Sequence, residues 1–401
     1  MIKVIPQGTV TSPQGFLAGS TSAGIKSKSK ELDLGLLFSR NPCTAAGVFT
    51  QNKVKAAPVL LSMETLKKRQ TQAVVVNSGC ANAGTGEKGM EDAREMVSLA
   101  ARKLGIPADK VFVASTGVIG VNIPVDKVRL GLENIKLSPG GGYELARAIM
   151  TTDAWPKERA VEIEIDGHRC IIGGIAKGAG MIHPNLATLL VFLTTDAAVE
   201  ANFLQTALKK AVDASFNMVT VDGDTSTNDS VIILANGLAG NKAITRDTPN
   251  GRLFQRALEE VCVFLARSVA CNAEGASHLI EIKVEGAISQ LQARRAARTI
   301  AGSNLVKTAV HGADPNWGRI LAAVGRSEIE LDENKIDIYI GDICLMKGGK
   351  PQTFDKNEAQ DLLRKMVVCI RVGLGLGSGR ATGWGCDLSE EYVLENSAYT
   401  T

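Results

Sequence analysis

Residues 177–190 read Lys-Gly-Ala-Gly-Met-Ile-His-Pro-Asn-Leu-Ala-Thr-Leu-Leu, and they constrain this chain more than any other stretch. Two glycines allow close backbone approach. A Pro-Asn bend leads to the small residue Ala187, and Thr188 stands directly before the apolar run Leu189–Leu193. A threonine that heads a buried strand after a strained, Gly-rich approach is placed where a chain can cut itself. Its hydroxyl attacks the preceding carbonyl, an N→O acyl shift gives an ester, and hydrolysis leaves Thr188 as a new N-terminus. That residue then carries a nucleophile and, in its own α-amine, a base with an ordinary pKa of roughly 7.7–8.0. On spacing alone the commoner arrangement is a Gly-rich loop feeding an ordinary core strand.

Composition narrows the classes. The 401 residues suffice for a substantial core in one large domain or two to three ordinary ones. With 45% apolar and 22% charged residues the chain has the balance of a soluble globular protein. The net charge of +3 comes without any block of like charges, and Lys26-Ser27-Lys28-Ser29-Lys30 reads as a solvated turn. Only 4% of residues are aromatic, too few for base-stacking platforms, so nucleic acid is not an expected partner. No apolar run suggests a signal segment or a membrane span. The eight cysteines are scattered without a C-x-x-C pair, and only four histidines accompany them. No zinc-type spacing exists, no metal is expected, and a reducing cytoplasm fits best.

Periodicity gives a mixed α/β pattern. Short strands are expected at Ala73–Val76 and Val111–Ala114, separated by a helix over Lys88–Leu104. Val161–Ile165 alternates strictly and turns at Asp166-Gly167 into Arg169–Ile172, an Asp-Gly hairpin that delivers the chain to Lys177. The strand after Thr188 is expected to end near Asp196, read as the N-cap of a helix carrying Leu204, Leu208 and Val212. Met218–Val221 and Val231–Ala235 read as strands around a polar loop, and Phe254, Leu258, Val261 and Leu265 mark a helix. Beyond about residue 285 the texture changes. A helix over Ser289–Ala301 is followed by expected strands at Leu305–Val310, Glu328–Leu331 and Lys335–Ile340, with a helix starting at Asn316 between the first two. A helix around Asn357–Met366 and a strand at Val367–Val372 complete an α+β lobe. Gly373–Trp384 carries so many glycines that it reads as loop.

Several short strings bear on chemistry. Ser115-Thr116-Gly117 follows a strand end, where a small hydroxyl and an N–H beside glycine suit an oxyanion hole, although such a string is more often a plain turn. Lys177 and Glu274 have bland readings as a surface lysine and a capping glutamate. Asp222-Gly-Asp224-Thr-Ser226-Thr-Asn228 superficially suggests a calcium loop, but its sixth and twelfth positions hold Thr227 and Ile233 instead of Gly and Glu. Gly373–Arg380 closes no dinucleotide register and precedes no P-loop Lys-Ser/Thr. His183 is better read as a loop-structuring residue than as a base, because a terminal amine makes a further base unnecessary.

Seven further strings lie in register along the whole chain: Gly15–Gly19, Gly47–Pro58, Asn77–Ala83, Ser115–Gly120, Met150–Asp153, Asp222–Asp229 and His311–Arg319. Together with residues 177–190 they closely resemble the ornithine acetyltransferase (bifunctional glutamate N-acetyltransferase) family of arginine biosynthesis. The resemblance implies an α/β (α+β) fold. It is a layered αββα sandwich of the self-cleaving, N-terminal-nucleophile-like type, over 1–285, with a smaller C-terminal α+β lobe, 286–401, whose tail returns to the active site. It implies a cut between Ala187 and Thr188, with the two fragments interlocked and paired into an α2β2 heterotetramer. Thr188 would act as nucleophile by ping-pong transfer of acetyl from N2-acetylornithine to glutamate, giving ornithine and N-acetylglutamate. Thr116 and Gly117 would form the oxyanion hole. Thr152, Lys177, Thr188, Glu274, Asn396 and Thr401 would contact substrate, with Thr151 one place from Thr152 as an alternative. The tail lacks the basic residue common before the family's last position. No cofactor is implied, and acetyl-CoA stands open as a second donor because no motif marks a CoA site. The rival readings are an amidase or aminopeptidase of the same self-cleaving architecture and a non-catalytic binding protein on this scaffold.

Overall fold

The computed structural model describes residues 1–26, 31–183 and 189–398, so Ala187, Thr188 and Thr401 lie outside the described residues. The chain opens with β1 (Lys3–Val4), β2 (Phe16–Thr21) and the long β3 (Leu34–Phe49). Next come α1 (Ala57–Leu66), β4 (Gln70–Cys80), α2 (Gly86–Leu104), β5 (Val111–Val118), α3 (Val125–Asn134) and α4 (Gly142–Ala148). The middle of the chain forms β6 (Lys157–Ile165), β7 (His168–Lys177), β8 (Leu190–Thr195), α5 (Ala201–Ala214), β9 (Ser230–Ala235) and α6 (Pro249–Cys271).

These strands run in the order β1-β6-β7-β8-β9-β3-β4-β5, with β2 also on β3. The ladder folds into two layers because β3 belongs to both. Its first half, Leu34–Phe38, pairs with β2 and β4, and its second half, Thr44–Phe49, pairs with β9. Pairing with β4 slips between Phe38 and Cys43, across Asn41-Pro42, where proline cannot donate to a ladder. Side-chain alternation then sorts three apolar layers. Val74 and Val76 of β4 meet Leu190 and Phe192 of β8 and Ile232 and Leu234 of β9 between the sheets. Ala73 and Val75 face the other way, onto Met96 and Ala100 of α2 and Val128 and Leu132 of α3. Val191, Leu193, Val231 and Ile233 turn outward onto α5 and α6. The result is an αββα sandwich, as the family resemblance implies.

The second sheet comprises β10 (Leu279–Ala287), β11 (Asp337–Ile340), β12 (Ile343–Lys347), β13 (Lys350–Pro351), β14 (Val367–Gly373) and β15 (Gly379–Cys386), in the order β13-β12-β11-β14-β10-β15. It is accompanied by α7 (Gln290–Ala301), α8 (Asn304–His311), α9 (Trp317–Gly325), α10 (Lys356–Leu363) and a terminal α11 (Glu390–Ala398). Ile280, Ile282 and Trp384 join the same apolar cluster as α6, so this sheet is continuous with the outer core of the sandwich.

Several local expectations are overturned. Leu305–Val310 is helix, not strand: Val306, Ala309 and Val310 are buried at helical spacing, and Ser303 stands at the N-cap. Residues 379–386 form a strand at the edge of the second sheet, paired with β10, not a loop. A Cβ on Gly383 would lie 3.2 Å from the Ala297 backbone, and one on Gly385 would lie 2.9 Å from the Ala301 carbonyl. The glycines are there because α7 packs backbone-close on the sheet. Met218–Val221 is not a strand: Met218 ends a short helical turn, Phe216–Met218, and Val219 makes a single bridge to Trp384. No strand forms over 328–331, and the strand expected from Lys335 begins at Asp337. The cap of α5 is Glu200, whose carboxylate accepts from the N–H groups of Asn202 and Phe203. Asp196 instead accepts from the N–H groups of Ile171 and Gln14. Among the described residues no helix is long and apolar enough to cross a membrane.

Candidate active site

The sandwich opens at one end into a cleft of about 260 Å³, lined by Thr116, Gly117, Thr151, Thr152, Lys177 and Glu274 together with Asp222, Asn228, Tyr392 and Asn396. Every sequence-derived site residue that lies among the described residues reaches this cleft. Thr151 lines it beside Thr152, so the one-place ambiguity between them stands.

The first wall is made of strand ends. Thr116 and Gly117 sit near the end of β5, which runs parallel to β4 until a bulge sets Cys80 opposite both Thr116 and Val118. Bulges re-aim a strand beside a site. Gly117 adopts φ +126°, and a Cβ there would lie 2.4 Å from the Gly79 carbonyl carbon, so no other residue fits without moving β4. Asn228 fastens this corner, donating from Nδ2 to the carbonyls of Ala81 (2.6 Å) and Ser115 (2.9 Å). The Cys80 thiol close by is no rival nucleophile: burial raises its pKa, and Sγ donates to the Val121 carbonyl at 3.1 Å.

Lys177 is not on the surface and not in a loop. It is the last residue of β7 and is 2% exposed. Its Nζ donates to Thr151 Oγ1 at 2.8 Å and to Thr116 Oγ1 at 3.3 Å. Burial lowers its pKa, against the opposing pull of Asp153, Glu274 and Asp229. Asp153 anchors the lysine's surroundings: one carboxylate oxygen accepts from Lys157 Nζ (2.5 Å) and the Gly178 N–H (2.8 Å), the other from the Thr151 N–H (3.1 Å). Burial alone would push this carboxyl up, but the charges of Lys157 and Lys177 and the bond from Gly178 bring it down to about 2.

The segment leading to the expected cut is held from below. Met181 sits at φ +56°, an unusual conformation for a side chain of its size. Asp222 holds it there, accepting from the N–H groups of Met181 (2.5 Å) and Ile182 (2.9 Å). On the far side, Asp229 Oδ1 accepts from the N–H of Leu189 at 3.0 Å, and burial raises that carboxyl well above its ordinary range. The Asp222–Asp229 string therefore places one carboxyl on the backbone of Met181 and Ile182 and another on that of Leu189. Sequence reasoning singled the string out and rejected calcium, but could not see this use. Among the described residues no group of His, Cys, Asp or Glu is placed to hold a metal. His183 bonds to Thr220 Oγ1 at 3.1 Å, and burial lowers its pKa, as suits a neutral, loop-bonded ring.

The second wall is looser. Glu274 follows α6 and accepts from Thr152 Oγ1 (2.7 Å) at one oxygen and from Asn396 Nδ2 (3.0 Å) at the other. Asn396 and Tyr392 come from α11, and burial pushes the Tyr392 phenol up to about 12, so it stays protonated. A second hollow, about 540 Å³ and flanked by Lys26, Arg147 and Glu395, shares Thr151, Thr152, Glu274 and Asn396 with the first.

The sequence model of the ArgJ family matches residues 17–401. A Dehalococcoides mccartyi protein named arginine biosynthesis bifunctional protein ArgJ is 54% identical over 401 residues, covering 100% of this chain and 99% of its own. A protein of the same name from Symbiobacterium thermophilum is 52% identical over 397 residues, covering 98% and 99%. Among solved structures, the arginine biosynthesis bifunctional protein argJ of Bacillus halodurans is 44% identical, with a TM-score of 0.51, covering 52% of this chain and 98% of its own.

Proposed function

This chain belongs to the ArgJ family of bifunctional arginine-biosynthesis enzymes, and from that premise we propose that it moves acetyl from N2-acetylornithine to glutamate through an acetyl ester on Thr188. The observation that carries this reading is the buried corner of Thr116, Gly117 and Lys177, reached by a backbone that Asp222 holds in strain at Met181.

Maturation comes first. Thr188 Oγ attacks the Ala187 carbonyl, the Ala187–Thr188 C–N bond breaks as the ester forms and frees the Thr188 amine, and water hydrolyses the ester to leave the Ala187 carboxylate and the Thr188 hydroxyl. The pieces stay together because the cut falls between paired strands. β7 pairs with β8 from Lys177↔Leu190 to Ile172↔Thr195, and β3 pairs with β9, each across the cut. The Bacillus halodurans chain supports a cut near the middle, since almost all of it aligns to only 52% of this one.

In turnover the Thr188 amine takes the hydroxyl proton as Oγ adds to the acetyl carbonyl. The oxyanion is received by Thr116 and the Gly117 N–H, with the Lys177 cation behind Thr116. Collapse expels the ornithine amine, which leaves with that proton. Glutamate's amine then attacks the acetyl ester, and Thr188 regains its hydroxyl. Glu274 suits the substrate ammonium, and the adjoining hollow has room for its side chain. Acetyl-CoA enters this scheme only as a second donor to the same Thr188.

The test is a covalent one. N2-acetylornithine without acceptor adds one acetyl mass to the fragment beginning at Thr188, peptide mapping places it there, and glutamate removes it. Hydrolysis without transfer to glutamate would favour the amidase reading, and intersecting rather than parallel double-reciprocal lines without acetylated fragment would remove the catalytic role of Thr188.

A further inference from the structure

The helix that closes the cleft buries no side chain fully. α11 carries Tyr392 and Asn396, and its closest packing is of the Tyr392 backbone against Gly275, where a Cβ would lie 2.2 Å from the Tyr392 nitrogen. A helix of this length is marginal in water without an apolar face against a core, so polar contacts must fix it. Near its start, Ser389 Oγ donates to the Gly275 carbonyl at 2.5 Å. Toward its end Asn396 reaches Glu274. Between α11 and the rest of the molecule stands His311, the last residue of α8 and part of the His311–Arg319 string that the proposed chemistry does not use.

The two ring nitrogens of His311 face two different carboxylates. Nδ1 lies 2.9 Å from Asp387 Oδ2, just past β15, and Nε2 lies 3.1 Å from Glu390 Oε2, on the first turn of α11. A neutral imidazole has one N–H and one lone pair, and the lone pair would face an anion. Only the imidazolium donates to both. Asp387 is committed as an anion, for it also accepts from the N–H groups of Ser277 (2.9 Å) and His278 (2.8 Å) and from Ser277 Oγ (2.6 Å). Two further groups lie near the ring. His278 Nδ1 shares Asp387 Oδ2 at the longer distance of 3.2 Å, and Lys307, one turn back in α8, is turned away to the Cys386 carbonyl at 2.6 Å.

We propose that protonated His311 is a positioning residue that fastens α11, and with it Asn396 and Tyr392, across the cleft, making the grip on an ornithine-type ligand dependent on the charge of this ring. Bonds to Asp387 and Glu390 raise the ring's pKa above the ordinary 6.5, in keeping with the geometry. The sign follows: the clamp is complete below the ordinary value and is lost as pH rises through the raised one. The effect on ligand affinity rests on the function proposed above, whereas the clamp itself does not.

Two readouts separate the two. Backbone-amide hydrogen exchange over 391–398, corrected for intrinsic rates, is expected to be slower in the wild-type protein at about pH 6 than at about pH 8. In His311→Gln it should be fast and flat at both. Ornithine affinity by calorimetry should fall in the wild type over the same range by roughly two- to fivefold, as for a partly exposed ion pair, and stay at the weak level in His311→Gln. Glu390→Gln, on a side chain 87% exposed, should give the same changes at smaller size without touching the core. If exchange over α11 is the same in all three proteins at both pH values, the proposal is overturned. If exchange responds but no variant binds ornithine, the clamp stands and the proposed function falls.

Discussion

The two walls of one cleft are built on opposite terms. The wall of Thr116, Gly117 and Lys177 consists of strand ends between packed layers, with its polar groups paired to one another inside the protein. The wall of Glu274, Tyr392 and Asn396 depends on a helix with no buried residue, held by a few contacts at its ends. The difference teaches where each task belongs. Groups that meet developing charge must be fixed in advance, in a site that excludes water. Groups that admit and release a ligand gain from a mounting that can let go. Substitutions on the first wall should therefore cost folding or rate, and substitutions on the second should cost affinity.

The largest effect is expected at Asp153, beneath the rigid wall. Its side chain and that of Lys157 are fully buried as an ion pair. Asp153→Asn leaves a buried cation without its anion and should lower stability by about 3–5 kcal/mol, read as a fall in the urea midpoint at unchanged slope. A loss below about 1 kcal/mol, the size of a surface pair, would mean that this wall is no more rigid than its opposite.

Next in size is Thr116→Ala. Removing one oxyanion donor should reduce kcat by about 10²–10³, with little change in KM. Fragment formation during maturation should slow with it, followed on denaturing gels. A variant that turns over normally would move the oxyanion site off β5.

The smallest effect is expected on the second wall. Asn396→Ala removes one hydrogen bond to Glu274 and should raise KM for N2-acetylornithine by roughly tenfold, leaving kcat within about twofold. A loss in kcat as large as that of Thr116→Ala would erase the contrast between the walls, because α11 would then be part of the reacting machinery.

Local chemistry was legible from the residues alone wherever it depended on neighbours in the chain. Alternation and an Asp-Gly turn define the β6–β7 hairpin over 157–177, and the two faces of β4 follow from Val74 and Val76 against Ala73 and Val75. Thr188 after a Gly-rich approach is likewise a property of consecutive residues. Errors came where a distant partner sets the meaning of a residue. The glycines of β15 read as loop because nothing in the string shows that α7 lies against them, and the β-branched residues of α8 read as strand until burial picks out their helical face.

The same boundary runs through the site. The sequence by itself determined which residue types are present and, through the pattern of its motifs, the family to which the chain belongs. Only the tertiary structure decided that Lys177 is buried beside Thr116, that Asp222 holds the backbone of Met181 and Asp229 that of Leu189, and that His311 stands between Asp387 and Glu390. Each of these joins residues at least 40 positions apart. Charge state, strain and hydrogen-bond geometry are properties of such contacts, and no order of residues along the chain contains them.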